Sequence, residues 1–369
     1  MTGISRAEAS NIDALKHALV GNALAGELEG FTPTEKDEAA RFIASVARKR
    51  RKGEAAICLE STGGEAGRRR MRLGIINDDM PFLVDSVSNA IAGRHLTIHR
   101  LFHPVVCVDR DPNGVLQELG PLCDEKERRE SMMYIELDRA DARGRRELVE
   151  DLHAVLADVR AAVRDWPAMQ AQMRSDAAKI EDEEGRDLLN WFADGALTLL
   201  GYHVERPGEE PTNALGIFSI PGAPTDRGGS VGAIRYFESG GAVPLMAKAE
   251  RKSTVHRRVP LDLIVVPIRE NGKVTGIGVH SGLWTSQALI LPTEEVPLLR
   301  RRLLEFDKEF GFDPQGHSGK ALRHAVSSMP RDLLVNLSAE TSRDLICMAM
   351  SLADRPRPAI LLLRSILKG

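Results

Sequence analysis

The feature that most constrains the fold is a strand-to-helix pattern at residues 71–92. An apolar run at 71–76 stops at Asp78 and Asp79, and Pro81 follows two residues later. Apolar residues then recur at helical spacing, at Leu83, Val84, Val87 and Ile91. This order predicts a strand, a tight turn and a helix that begins at Pro81.

The elements after this pattern extend it into one module. Residues 96–109 form a long β-branched run, which the turn-forming residues 111–114 end. A second alternating run follows at 131–138, and residues 146–163 carry a helical apolar stripe. The order β-α-β-β-α predicts an α+β, ferredoxin-like module with helices on one face of a mostly antiparallel sheet.

A second β-rich region predicts another sheet covered by helices. Short strands are expected at 200–206, 215–220 and 244–249, and Asn271-Gly272 predicts a hairpin between 259–269 and 273–284. Thr293 with two acids after it predicts the start of a helix. The predicted domains are a helical segment (1–62), the first module (63–165), connecting helices (166–199), the second module (200–316), and a helical segment with the start of a third module (317–369, with a strand at 359–366).

The composition is that of a soluble cytoplasmic protein. Lys and Arg number 50 against 53 Asp and Glu, so no basic excess points to nucleic acid. No apolar run is long enough to span a membrane, and the N-terminus has no apolar core typical of a signal peptide. The four cysteines form no C-x-x-C pair, so we expect reduced thiols and neither a zinc site nor a disulfide framework.

Two groups of residues could bind a metal ion, and the sequence favours a structural role for both. Asp78, Asp79 and Asp85 could bind a metal ion or act as acid and base, but the spacing better suits Asp79 as a helix cap and Asp78 as the end of a strand. His95, His99 and His103 recur every four residues, but within a β-branched run, where they would lie on one polar face. The glycines of 276–282 are not followed by a helix, so they predict close packing in a strand and no nucleotide loop.

The most polar short cluster is Ser253-Thr254-Val255-His256-Arg257-Arg258. Its arginines and hydroxyls could hold a carboxylate or phosphate. The structural alternative, which the alternation of Val255, Val259 and Leu261 favours, is that Arg257 or Arg258 pairs with Asp262. A Ser–His nucleophile would need a third, orienting group that the sequence does not identify.

Six segments, in order, resemble the N-terminal part of the large bacterial NAD-specific glutamate dehydrogenase family. They are Asp78–Val87 (DDMPFLVDSV), His103–Val106 (HPVV), Leu200–Tyr202 (LGY), Lys252–Arg257 (KSTVHR), Gly282–Ser286 (GLWTS) and Pro330–Asp332 (PRD). The resemblance runs from about residue 70 to 335. It implies two ACT-like regulatory modules, with a dehydrogenase domain elsewhere in a much longer polypeptide.

The resemblance implies a regulatory and oligomerisation role without chemistry in this chain. NAD and the catalytic residues would belong to the parent enzyme, and no catalytic, cofactor or metal site is expected here. Asp78, Asp79, His256 and Arg257 are the candidate effector contacts, and an amino acid is the candidate effector. Phe82 stands where amino-acid-binding ACT modules usually have glycine, so we expect its ring to pack in a core or interface.

The expected partners are further copies of this chain and the catalytic domain of the same polypeptide, without nucleic acid or membrane. Two alternatives remain open at this point. One is a free-standing amino-acid-binding sensor of the ACT type. The other is a small enzyme that uses Asp78 and Asp79 or His256.

Overall fold

The computed structural model describes residues 6–21, 23, 25–62, 70–121, 123–222 and 229–354. The chain divides into two compact units. The first comprises Met1–Arg160 together with the short segment Thr254–Arg258, and the second comprises Ala161–Ser253 and Val259–Gly369. The predicted domain bounds stay a prediction; they place 254–258 in the second module.

The first unit begins with two helices, α1 (Arg6–Gly21) and α2 (Pro33–Ala47). Thr32 caps α2 because its hydroxyl oxygen accepts a hydrogen bond from the backbone N–H of Glu35. The Glu35 carboxylate in turn accepts one from the backbone N–H of Thr32. One face of α2 buries alanines together with Phe42 and Ile43. Both helices thereby supply apolar residues to the core of this unit.

The sheet of the first unit is entirely antiparallel. Its strands are β1 (Ala56–Thr62), β2 (Arg70–Asp78), β3 (Ile98–Phe102), β4 (Val105–Arg110), β5 (Leu116–Gly120) and β6 (Arg129–Leu137). The order is β1-β2-β6-β4-β5, and β3 also pairs with β6. Helix α3 (Leu83–Gly93) connects β2 to the strands on the far side of β6. The predicted strand, turn and helix of 71–92 are therefore present.

The prediction of one continuous strand at 96–109 is wrong. The region forms two strands, β3 and β4, separated by His103 and Pro104. Proline has no N–H to donate to a ladder, so the strand breaks where it occurs. The carbonyl of Pro104 still accepts a bond from Met132 in β6, at 3.0 Å. The sequence also gave no prediction for β1 or β5.

The expectation of four reduced thiols is also wrong for one pair. Cys107 in β4 and Cys123 form a disulfide, with their Cα atoms 5.8 Å apart. The chain turns back between them through β5, which brings two cysteines 16 residues apart into reach of each other. Cys58 and Cys347 are free thiols.

The second unit continues from a long helix. Helix α4 (Ala142–Ala177) is followed by α5 (Glu183–Trp191), a single π-helical turn and then the second sheet. The strands of this sheet are β7 (Leu197–Glu205), β8 (Thr212–Gly216), β9 (Leu245–Lys252), β10 (Pro260–Glu270) and β11 (Lys273–Trp284), with α6 (Gly229–Glu238) between β8 and β9.

The order of the second sheet is β8-β7-β11-β10-β9, and all pairs are antiparallel. Three consecutive strands, β9 to β11, form a meander. The predicted β-α-β-β-α order is therefore not what this unit shows, although an antiparallel sheet with helical cover is present. The hairpin prediction is confirmed, because Asn271 and Gly272 join β10 to β11 with φ of 51° and 80°.

The glycines of 276–282 fill a packing role in β11. A Cβ on Gly282 would lie 2.5 Å from the carbonyl oxygen of Thr198, and one on Gly278 would lie 3.1 Å from the hydroxyl of Tyr202. The neighbouring strand β7 approaches too closely for larger side chains. The prediction of close packing is confirmed.

The remaining described residues are helical. They form α7 (Ser286–Ile290), α8 (Leu299–Phe310), α9 (His317–Ser328), α10 (Arg331–Asn336) and α11 (Ala339–Asp354). The helix predicted to open at Thr293 starts later, because 293–295 form only a short 3-10 turn before α8. The strand predicted at 359–366 lies outside the described residues. Within the described ranges, no helix is long and apolar enough to cross a membrane.

Candidate functional site

The turn after β2 is the first place where polar side chains converge. Phe82 precedes α3 with a left-handed backbone, φ 71° and ψ 1°, and no side chain caps the helix. The prediction that Asp79 caps this helix is therefore wrong. Pro81 and Phe82 form a turn before the helix, so α3 begins two residues after Pro81, and Asp79 is exposed just after the strand.

Asp78 lies in a network of charges inside the first unit. Its carboxylate accepts a bond from Arg50 at 2.8 Å and from the backbone of Gly53 at 3.2 Å, and it pairs with Arg160. Burial favours the neutral carboxyl, but the bonds from Arg50 and Arg160 outweigh it and lower the pKa of Asp78. Its oxygens are therefore occupied by the chain's own cations.

Glu130 forms the other half of this network. Arg50 binds it at 2.6 Å, and Arg110 binds both of its oxygens at 2.7 Å in a bidentate pair. The side chains of Arg50 and Glu130 are each only 3% exposed. A buried arrangement in which each carboxylate meets two guanidiniums is a structural element.

The segment 254–258, which belongs to the first unit, docks beside this turn on α3. The backbone N–H of His256 donates to the hydroxyl of Ser86 at 2.9 Å, and the amide of Asn89 donates to the His256 carbonyl at 2.5 Å. The His256 ring binds Asp85 at 2.7 Å and lies 5.3 Å from the Phe82 ring. The first turn of α3 is thus covered by a segment of the same chain.

Neighbouring residues fix this segment on both sides. Thr254 donates its hydroxyl hydrogen to Asp158 at 2.6 Å, and Val255 is fully buried. Arg258 lies against Gly93, where a Cβ would collide with the guanidinium. The segment is therefore anchored along its length.

The structure places the predicted effector contacts in different surroundings. Asp78 ends β2 and Asp79 follows it, whereas the His256 ring binds Asp85 in α3. Arg257 is half-buried, and the acid proposed for it, Asp262, binds Lys248 at 2.6 Å. Binding of an effector by Asp78, Asp79, His256 and Arg257 stays a prediction.

Sequence reasoning considered Asp85 only as a possible metal or acid–base carboxylate, and it missed Ser86 and Asn89. These three residues of α3 receive the segment. Their signal is a polar stripe at positions i, i+1 and i+4 beside the apolar stripe of the helix. That stripe indicates a polar contact but not its partner, which lies about 170 residues further along the chain.

The second unit contains a different arrangement, a cavity on the face of its sheet beside α6. His203 and Glu205 in β7 line it and bind each other at 2.8 Å, and Phe218 packs edge-on to the His203 ring at 4.4 Å. His203 is 3% exposed and Glu205 8%. Sequence reasoning missed this pair, although the alternation of Tyr202, His203, Val204 and Glu205 places histidine and glutamate on one face of a strand.

No metal centre emerges from the described part of the chain. There, no group of three or more histidine, cysteine, aspartate or glutamate side chains is placed to hold an ion. Within the described residues, His99 instead binds Asp138 at 2.8 Å and His103 binds Ser131 at 2.7 Å.

Two glutamate dehydrogenase family models match separate parts of the chain. The family "Glutamate dehydrogenase, ACT1 domain" matches residues 16–152, and "Glutamate dehydrogenase, helical motif 1" matches residues 296–355. The first match covers the sheet and the turn of the first unit, and the second covers the helices from α8 to α11.

Curated relatives carry the same family name. The NAD-specific glutamate dehydrogenase of Halomonas elongata is 29% identical over 73% of this chain and 18% of its own length. That of Pseudomonas aeruginosa is 30% identical over 70% of this chain, also 18% of its own length. The chain belongs to the large NAD-specific glutamate dehydrogenase family and matches its N-terminal region.

A third member of the glutamate dehydrogenase family, from Mycobacterium tuberculosis, is 26% identical over 87% of this chain and 20% of its own length. The chain thus spans about a fifth of the length of the relatives it matches. The resemblance in the sequence is thereby confirmed at the level of the family.

Proposed function

We propose that this chain is a non-catalytic regulatory and oligomerisation segment of an NAD-dependent glutamate dehydrogenase. The whole enzyme would convert L-glutamate and NAD to 2-oxoglutarate, ammonia and NADH, and NAD would bind outside this chain. The names of the curated relatives and the two glutamate dehydrogenase family matches support this proposal.

The observation that carries the regulatory part is the docking of 254–258 on the turn of the first unit. His256 offers its backbone N–H, its carbonyl and its ring to α3 at one place. These are the kinds of groups that a small polar ligand would present to the same turn. An effector at this turn would have to displace residues 254–258, because they already bind the groups of α3 that the effector would contact.

The fold of the first unit supports an ACT-type assignment in finer detail. Helix α3 leads from β2 to β3 and β4, which pair with β6 on the side away from β2, and β6 is antiparallel to all three. This is the split β-α-β arrangement of ferredoxin-like modules. We propose that the first unit is such a module, and that the second is a variant in which the meander replaces a hairpin.

The proposed oligomerisation rests on open sheet edges. In the described part of the chain, β1 ends the first sheet on one side, and β8 and β9 end the second. The other end of the first sheet, β5, is already bonded to Asn11 in α1 and to the backbone of Arg48. Exposed edges favour pairing with another chain. Light scattering of the purified chain should give at least the mass of a dimer, and a monomer at all concentrations would contradict this part of the proposal.

The catalytic part is tested by comparing two proteins. The purified 369-residue chain should form no NADH from glutamate and NAD, whereas the parent polypeptide that contains it should. Removing this chain from the parent should change the subunit number or the response to effectors. Formation of NADH by the chain alone would overturn the proposal.

A further inference from the structure

The disulfide of the first unit joins a strand to the piece of chain that crosses it. Strand β4 lies between β5 and β6 and is antiparallel to both, so β5 and β6 run parallel on its two sides. Cys107 of β4 pairs with Gly120, the last residue of β5, and with Arg129, the first residue of β6. The crossing connection between them, described at 121 and 123–128, therefore passes β4 at the level of Cys107 and is bonded to it through Cys123.

The two cysteines differ in their accessibility. Val106 and Val108, on either side of Cys107, belong to the core that α1 and α2 form. Because side chains alternate along a strand, Cys107 points to the other face of the sheet, where it bonds to Cys123 and is only 5% exposed. Cys123 is half-buried. An attacking thiolate therefore reaches the sulfur of Cys123 more easily than that of Cys107.

The crossing connection is otherwise tied to β4 by a weak contact. Arg128 pairs with Asp109 of β4 at 2.7 Å, but the two side chains are 40% and 50% exposed. Exposed ion pairs contribute little to stability, because water screens them and both side chains lose conformational freedom. When the S–S bond breaks, the connection therefore loses its strongest described tie to the strand below it.

The same connection is hydrogen-bonded to the turn after β2. The guanidinium of Arg129 donates from Nε to the carbonyl of Cys123 at 2.7 Å. The carbonyl of Arg129 in turn accepts the backbone N–H of Asp79 at 3.2 Å. Asp79 stands directly before the residues that turn the chain into α3. Two hydrogen bonds through Arg129 thus link the disulfide to this turn.

We propose that Cys107 and Cys123 form a redox switch that controls how firmly the turn after β2 is held. In the disulfide state, the crossing connection is fixed on β4 and Arg129 holds Asp79. In the dithiol state, the connection opens more often and the bond to Asp79 opens with it. In the cytoplasmic protein that the composition predicts, disulfides are usually transient, and redox sensing is one of their ordinary roles.

The switch is reduced by thiol–disulfide exchange with a dithiol. One thiolate of the dithiol attacks the Cys123 sulfur, and Cys107 leaves as a thiolate that takes up a proton. The second thiolate of the dithiol then attacks its own sulfur in the mixed disulfide, and Cys123 leaves and is protonated. Two electrons and two protons pass to the cysteines, and the dithiol becomes a disulfide. Oxidation by a disulfide reagent reverses these steps.

The test compares the two redox states of the 369-residue chain. Reduced and oxidised dithiothreitol set the state, alkylation with mass spectrometry counts the thiols, and NMR follows amide hydrogen exchange. We expect Cys107 and Cys123 to convert together and reversibly. On reduction, the amides of Asp79 and of residues 123–128 should exchange at least about tenfold faster, and those of β7 should not change.

Two results would overturn the proposal. One is that Cys107 and Cys123 are both alkylated in oxidised dithiothreitol, which would show that they do not form the disulfide. The other is an Asp79 amide that exchanges at the same rate in both states. The disulfide would then be a local crosslink without influence on the turn.

A matched pair of cysteine variants separates this disulfide from the other thiols. Cys123→Ser cannot form it, so its Asp79 amide should exchange as fast in oxidised dithiothreitol as that of the reduced wild type. Cys58→Ser removes a thiol that lies outside the disulfide, and its response to reduction should equal that of wild type. Slow Asp79 exchange in Cys123→Ser, or a lost response in Cys58→Ser, would contradict the proposal. The comparison of the two wild-type states does not depend on either variant.

The switch goes beyond the proposed function and fails separately from it. Thiol content and amide exchange are read on the chain itself, whereas the dehydrogenase assignment is read from NADH formation by the parent polypeptide. An active parent enzyme whose Asp79 amide ignores the redox state would overturn only the switch.

Discussion

The two units bury charged groups in opposite ways. In the first, Asp78 and Glu130 each meet two guanidiniums, and the bonds from Arg50 and Arg160 lower the pKa of Asp78. In the second, burial raises the pKa of Asp262 to about 6 although Lys248 lies 2.6 Å away. Asp262 is the more deeply buried of the two and also faces Asp332, so one lysine does not offset the cost of burial, whereas two guanidiniums do so at Asp78.

The same contrast applies to the two candidate ligand sites. The turn of the first unit is covered by the chain's own segment 254–258, whose backbone and ring bond to α3. The cavity of the second unit leaves His203 Nδ1 without a donor among the described residues.

The largest predicted effect comes from breaking the network of the first unit. Glu130→Ala leaves two buried guanidiniums short of a partner, and we expect a loss of about 3–5 kcal/mol in the free energy of unfolding. Glu125→Ala removes an exposed ion pair with Arg128 and should cost about 0–1 kcal/mol. Urea denaturation measures both. A Glu130→Ala variant as stable as Glu125→Ala would show that the network does not stabilise the unit.

The next effect is a difference in pH dependence between Asp262 and Asp78. Because the folded pKa of Asp262 is raised to about 6, the folded state binds more protons than the unfolded state between about pH 4 and 6. The stability of wild type relative to Asp262→Asn should therefore fall as the pH rises through this window. One pKa unit corresponds to about 1.4 kcal/mol, so a change of about 2–3 kcal/mol is expected.

Asp78 should show the opposite sign. Its folded pKa is lowered, so its contribution is present above the unfolded pKa of about 3.9 and is lost as the pH falls through the folded value. The stability of wild type relative to Asp78→Asn should therefore rise as the pH increases through the acid range. Denaturation curves for both variants at several pH values measure the slopes. Slopes of the same sign would contradict the claim that the folded state raises the pKa of Asp262 and lowers that of Asp78.

The smallest predicted effect concerns the backbone at Phe82. Its φ of 71° is unfavourable for a residue with a Cβ, and its ring contacts His256. Phe82→Ala loses the ring but keeps the strain, whereas Phe82→Gly loses both. We expect Phe82→Gly to be more stable than Phe82→Ala by about 1 kcal/mol. Thermal unfolding compares them, and a less stable glycine variant would contradict the role of the left-handed turn.

Local signals in the sequence predicted much of the fold. The apolar run before Asp78 and the helical spacing after it predict β2 and α3, and Asn271-Gly272 predicts the hairpin of β10 and β11. These signals lie within a few residues of the elements they determine. The β-branched residues around Pro104 predict one continuous strand. Pro104 is the residue that signals the break between β3 and β4.

The candidate sites were harder to predict because their contacts are distant in sequence. His256 was identified from its polar neighbours, but its partner Asp85 is 171 residues away. Cys107 and Cys123 likewise needed the path of β5 to bring them together. His203 and Glu205 are neighbours on one strand face, so their alternation with Tyr202 and Val204 is a local signal for the pair, but sequence reasoning missed it.

Hydrogen exchange tests the docking of residues 254–258 on α3 most directly, since it reports on single amides. Ser86→Ala removes the acceptor of the His256 backbone N–H, so the account predicts faster exchange of the His256 amide in this variant and unchanged exchange in β7. A His256 amide that exchanges as slowly in Ser86→Ala as in wild type would contradict the account.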